Sequence, residues 1–157
     1  MKLIILLLLI SSNANAITLG TGIIHTKPKQ KVISQEYKPS LTVGQNWNYK
    51  NINVGILTNK LFSRSGYIEL ENGLKVKQKV KYDALQVGYR VKRVIPALFI
   101  ANTQVTKQFL GKKTVNNLLV YGASLNYLVT KKVLIGILGT SPNEEGQSFG
   151  LTFNYIL

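Results

Sequence analysis

Apolar and polar residues alternate along most of this chain. In the closing stretch "SFGLTFNYIL", Phe149, Leu151, Phe153, Tyr155 and Leu157 alternate with Gly150, Thr152, Asn154 and Ile156. A period of two is that of a β-strand with two unlike faces. No stretch after residue 16 keeps a helical period. The pattern predicts eight strands, at about 17–26, 37–47, 52–60, 82–91, 97–106, 117–128, 133–141 and 148–157.

One face of each strand is apolar. It carries Leu41, Val43 and Trp47 in the second, and Ile52, Val54 and Ile56 in the third. The fourth gives Leu85, Val87 and Tyr89, the sixth Leu119, Tyr121, Leu125 and Tyr127, and the seventh Val133, Ile135 and Ile137. The fifth strand does not declare its face, because Leu98, Phe99 and Ile100 are consecutive. The other face is small. It holds eight of the thirteen glycines, among them Gly20, Gly44, Gly55, Gly122 and Gly136, together with Thr42, Asn46, Gln86, Ser124, Asn126, Thr152 and Asn154.

Glycine inside a strand weakens it, so a face built from glycine needs a reason. A closed eight-stranded barrel supplies one, because its interior is only just wide enough for side chains. A soluble barrel would turn the apolar face inward and a charged face to water. Here the small face carries almost no charge apart from Arg90, which fits an enclosed polar interior and an outer face in lipid. With the backbone in lipid every group must be paired, so the last strand must close against the first.

The connections alternate. Residues 48–51, 92–96 and 129–132 are short, whereas 27–36, 61–81 and 107–116 are longer. Short turns on one rim and longer loops on the other are the habit of outer-membrane barrels, and place both termini on the periplasmic side. Asn72-Gly73 favours a two-residue hairpin turn. That turn sets Leu70 opposite Lys75 and, with no bulge, Ile56 opposite Tyr89 and Val54 opposite Val91. A three-residue loop over 71–73 would instead pair Glu69 with Lys75 and would need a bulge lower down. The first register is preferred.

The start of the chain changes the picture of its compartment. "MKLIILLLLISSNANA" has a basic first turn, an apolar run and a small-residue ending, the layout of a secretory signal peptide cleaved after Ala16. One domain, residues 17–157, is then expected. Without Lys2 the chain carries 19 basic against 6 acidic residues, and so great an excess favours polyanionic partners. There is no cysteine, so burial and backbone hydrogen bonds must hold the fold.

In these features the chain resembles the small eight-stranded bacterial outer-membrane β-barrels, of the general kind of the OmpX, Ail and OmpA transmembrane families. The resemblance spans residues 17–157 and lies in pattern, not in an exact motif. It implies an all-β, eight-stranded antiparallel up-and-down transmembrane barrel in the Gram-negative outer membrane, exported through the general secretory pathway. It also implies that the last strand is read by the outer-membrane assembly machinery. Leu151, Phe153 and Tyr155 match that signal, and Leu157 departs from it where an aromatic is usual.

Some barrels of this size modify acyl chains of lipid A through a His paired with Ser and a carboxylate. This chain has one histidine, His25, with Ser34 and Glu36 following and no His-x-Ser sequence. The expectation is a rim residue and no enzyme. No metal site and no cofactor are expected. The informative stretch is "KVKQKVKYDALQVGY", in which Lys75, Lys77, Lys79 and Lys81 share a face with Leu85, Val87 and Tyr89. The change from lysine to apolar near Asp83 should mark where lipid ends. "KPKQK" at 27–31 and Lys112 and Lys113 lie toward the same rim. The expected function is therefore a non-enzymatic, monomeric outer-membrane protein whose basic loops contact lipopolysaccharide phosphates or another surface polyanion, with no nucleic-acid role. The alternatives are a lipid A-modifying enzyme and a secreted, lipocalin-like soluble barrel with an apolar ligand.

Overall fold

Eight antiparallel strands close into a barrel in this computed structural model, which describes residues 16–27, 32–37, 40–70, 73–143 and 146–157. The expected signal peptide lies outside the described residues, apart from Ala16. Among these residues there are ten strand segments: β1 (Ala16–Lys27), β2 (Val32–Tyr37), β3 (Ser40–Tyr49), β4 (Ile52–Phe62), β5 (Arg64–Leu70), β6 (Lys75–Tyr89), β7 (Val94–Phe109), β8 (Lys112–Leu128), β9 (Val133–Thr140) and β10 (Gln147–Ile156). The ring runs β1-β3-β4-β6-β7-β8-β9-β10 and closes by pairing of β10 with β1. Closure follows from the chemistry, since it leaves no strand edge within the band.

The apolar rows point outward. Leu98 on β7 is 71% exposed, and Ile23, Tyr121, Leu125, Ile137, Leu151 and Phe153 are exposed on their strands. The soluble alternative needs those rows inside. On β8 the apolar outer row runs from Leu119 to Tyr127, about the 9–11 residues that a tilted strand needs to cross a bilayer. Gln45 breaks the pattern: it stands on the outer row of β3 opposite Ile17 and Ile56, yet is only 4% exposed.

Glycines make the lumen possible, and the registers show how. Gly20 is opposite Asn154, Gly55 opposite Asn46 and Gly136 opposite Asn126. In each pair the asparagine amide occupies the space that a glycine Cβ would need. Gly122 does the same for the ring of Phe99. That contact settles the ambiguous strand: Phe99 is lumenal, and Leu98 and Ile100 face out.

The lumen was expected to be polar throughout, and it is not. Its short-turn half is polar, with Asn46 donating to Thr18 Oγ1 and Asn126 Nδ2 donating to Ser124 Oγ at 3.1 Å. Farther up, Ala84, Ala101 and Val120 form a buried apolar cluster against Leu57, Phe99 and Leu118. A cavity of about 180 Å³ lies in the lumen, bordered by Leu57, Val105 and Val120 and by the polar Asn59, Arg64 and Gln78.

The preferred register is overturned. Glu69 pairs with Lys75, Leu70 N donates to Leu74 O at 3.0 Å, and Gly73 has φ 74°. These pairings are those of the three-residue alternative, although residues 71 and 72 themselves lie outside the described residues. Lower down Ile52 pairs with Tyr89, Val54 with Val87 and Ile56 with Leu85. The shift is absorbed between Thr58, opposite Asp83, and Arg64, opposite Val80, where residues 59–63 face only 81 and 82. Such a bulge leaves backbone groups unpaired. Asn59, 1% exposed, repairs the ladder: its Nδ2 donates to Val80 O at 3.2 Å and its Oδ1 accepts from Tyr82 N at 2.7 Å.

The hairpin expected within 61–81 is present, and the expected loop 107–116 is largely strand. β5 and the upper part of β6 fill most of 61–81, and β7 and β8 meet in a two-residue turn, Leu110-Gly111, both at positive φ. Beyond the ring, β2, β5, β6, β7 and β8 continue as a sheet, with β2 pairing to β5.

Candidate functional site

The upper sheet presents one continuous basic face. Successive outward residues of a strand lie roughly 7 Å apart, so Lys75, Lys77, Lys79 and Lys81 form a stripe of about 20 Å along β6. Pairing with β7 and β8 adds a row, Lys77 opposite Gln108 and Gln108 opposite Lys113. Lys113 thus joins the stripe two strands away. The side chains between are uncharged: Gln104, Thr106, Gln108 and Asn117. Tyr67, opposite Lys77, is exposed on the same face. Lys75, Lys77 and Lys79 are exposed and Lys81 is half-buried.

Glu69 and Asp83 stand at the two ends of the stripe, and Glu36 on β2 pairs with Tyr67, in the row of Lys77. Glu69 stands opposite Lys75 at the top. At the base Asp83 accepts from Lys60 Nζ and, at 2.8 Å, from Thr58 Oγ1. The next row down is Leu85 opposite Ile100 and Ile100 opposite Tyr121. The outer surface therefore passes from lysine to hydrocarbon within one residue pair, at Asp83, and Asn102 opposite it on β7 marks the same change.

The remaining expected residues separate. Lys112, opposite Phe109, stands on the other face of the sheet from Lys113. Residues 28–31 of "KPKQK" lie outside the described residues. His25 is exposed on the outer row of β1, opposite Phe149. Ser34 and Glu36 fall in β2, and their side chains lie outside the described residues. No three His, Cys, Asp or Glu side chains gather to hold a metal among the described residues.

Sequence reasoning missed Arg64. It is 7% exposed, borders the lumenal cavity and donates from Nη1 to Ile24 O at 2.9 Å. Counting by twos from the apolar rows of β4 could not have found it, because the bulge at 59–63 resets the parity. Arg90, read as the one charge on the small face, is instead exposed at the rim, with Nε donating to Lys92 O at 3.0 Å.

Known structures share this architecture. Ail, the attachment invasion locus protein of Yersinia pestis, superposes with a TM-score of 0.57 at 13% identity, over 90% of this chain and 97% of that one. Neisserial surface protein A superposes with a TM-score of 0.51 at 9% identity, over 90% and 95%. The chain has the fold of the small outer-membrane β-barrels. No protein-family model and no curated protein matches its sequence. At such identities the likeness is one of architecture, and the lysine face belongs to this chain's own residues.

Proposed function

We propose that the protein resides in the Gram-negative outer membrane as a non-enzymatic monomer, and that its lysine face holds polyanionic headgroups, the phosphates of lipopolysaccharide first among them. The observation that carries this reading is the junction at Asp83. Four lysines rise directly from the last apolar row of β6, at the height where a phosphate layer meets hydrocarbon. A lysine costs about 2–4 kcal/mol at the midplane of a barrel and almost nothing at the interface. The stripe therefore stands where its charges are tolerated and where phosphates are dense. Lysine suits this task as a mobile point charge, binding phosphate without the bidentate geometry of arginine. Export would follow from the signal peptide, and assembly from the outward aromatic row Phe149, Phe153 and Tyr155 of β10.

The test replaces Lys75, Lys77, Lys79 and Lys81 by Gln. The barrel should still fold, because the stripe lies above the apolar band. Retention on immobilised lipopolysaccharide should fall on the order of 100-fold at low salt, from a little under 1 kcal/mol per lysine. The deficit should shrink as salt rises, since exposed charges are screened over about 8 Å at 0.15 M. Equal retention at low salt would reduce the stripe to a solvated strand face.

A further inference from the structure

The opposite rim carries a second basic system that none of the above uses. Four of the eight barrel strands run toward the short turns: β3, β6, β8 and β10. Each presents an outward, exposed tyrosine near its end, namely Tyr49, Tyr89, Tyr127 and Tyr155. Because these are alternate strands of the ring, the tyrosines are distributed all round the barrel. Each of the first three strands then enters a basic turn. Lys50 follows β3, Arg90, Lys92 and Arg93 follow β6, and Lys131 and Lys132 follow β8. Among the described residues this rim has no Asp or Glu.

Two of these cations lie close to a ring. Lys50 Nζ lies 5.6 Å from the centroid of Tyr49, and Lys132 Nζ lies 5.9 Å from that of Tyr155, both within cation–π range. The short turns bear on which anion they meet. Tyr49 and Ile52 pair across Lys50 and Asn51, and Val91 and Val94 bridge across Lys92 and Arg93. Turns so tight hold the charges within a side chain's length of the tyrosines, which in a barrel sit at headgroup depth. They cannot extend them far from the membrane surface.

From this repeated pairing of a tyrosine with a basic turn, we infer that the short-turn rim is an annular binding site for anionic glycerophospholipids of the facing leaflet. The phosphodiester would rest against the turn cations and the first acyl carbons against the tyrosine face. The inference rests on the chain's lying in a membrane but not on the lysine face at the other end.

Native mass spectrometry of the folded protein, released from detergent with equal phosphatidylglycerol and phosphatidylcholine, tests it. The wild type should retain phosphatidylglycerol in about tenfold preference. Neutralising all six cations to Gln should abolish the preference, whereas the fourfold Lys75/Lys77/Lys79/Lys81 variant should keep it. If the sixfold variant fails to fold, Lys131→Gln with Lys132→Gln should lower the number of retained phosphatidylglycerols and leave the other turns occupied. No preference in the wild type, or a preference lost with the upper stripe instead, overturns the assignment. So does wild-type protein that shows no lipid preference but sediments with purified peptidoglycan, which would give the rim to wall carboxylates.

Discussion

Leu98→Arg should prevent the chain from reaching a folded state in membranes. Leu98 lies on β7 with Val87 opposite on β6 and Ala123 opposite on β8, in the middle of the apolar outer rows. It is 71% exposed, so nothing in the protein would shield an arginine there. The cost at that depth is about 2–4 kcal/mol, a large part of a domain's net stability. Leu119 is the control. It stands opposite Asn102 at the upper boundary of the same outer surface, and an arginine there should cost about 0–1 kcal/mol. Folding into phospholipid vesicles, followed by mobility of unboiled samples in electrophoresis, measures both. Two variants that fold equally well would mean that the outer face does not meet hydrocarbon.

The second large effect is expected inside the barrel. A Cβ at Gly122 would overlap the ring of Phe99 and lie 2.5 Å from the carbonyl of Gly139. The ring could move at some cost, but the carbonyl belongs to the neighbouring strand. Gly122→Ala should therefore destabilise the barrel by about 1–3 kcal/mol, the range for overpacking. Phe99→Ala alone should cost about 3–5 kcal/mol through the cavity it leaves. Because the two side chains compete for one space, the double variant should be less destabilised than the sum, by 0.5 kcal/mol or more. Urea unfolding of the three variants in micelles gives these values. Strict additivity would mean that ring and glycine are not paired as the register has them.

Much of this was legible in the sequence wherever the membrane imposes a contrast. Inside the apolar band one face must be greasy and the other must fit a narrow lumen, so alternation is strong. Strands such as β8 and β10 could be read almost residue by residue, and the small face was correctly assigned as lumenal. Above the band the contrast disappears. "TKQFLGKKTVNN" is polar on both faces, so the period of two is lost and the continuing strands of β7 and β8 read as a loop. The register error has another cause. Ile56 was set opposite Tyr89 but meets Leu85, a displacement of four residues. An even displacement keeps every side chain on its proper face, so the hydrophobic pattern could not reveal it. At the bulge the Asn59 amide stands in for backbone groups, and nothing in the spacing of apolar residues marks that role. The lysine stripe was legible because it continues the outer row of β6. The gathering of Lys113 beside it required the β7–β8 pairing, and the tyrosine rim required the order of strands around the ring.

The central claim is that this protein is a closed barrel whose apolar face lies in the outer membrane. Fractionation of cells expressing the protein, with each fraction run boiled and unboiled in electrophoresis, tests that claim most directly. The protein should sediment with outer membranes, require detergent for release, and change mobility on boiling as the barrel opens. Recovery in the soluble periplasmic fraction without detergent, with no change of mobility on boiling, would contradict the claim.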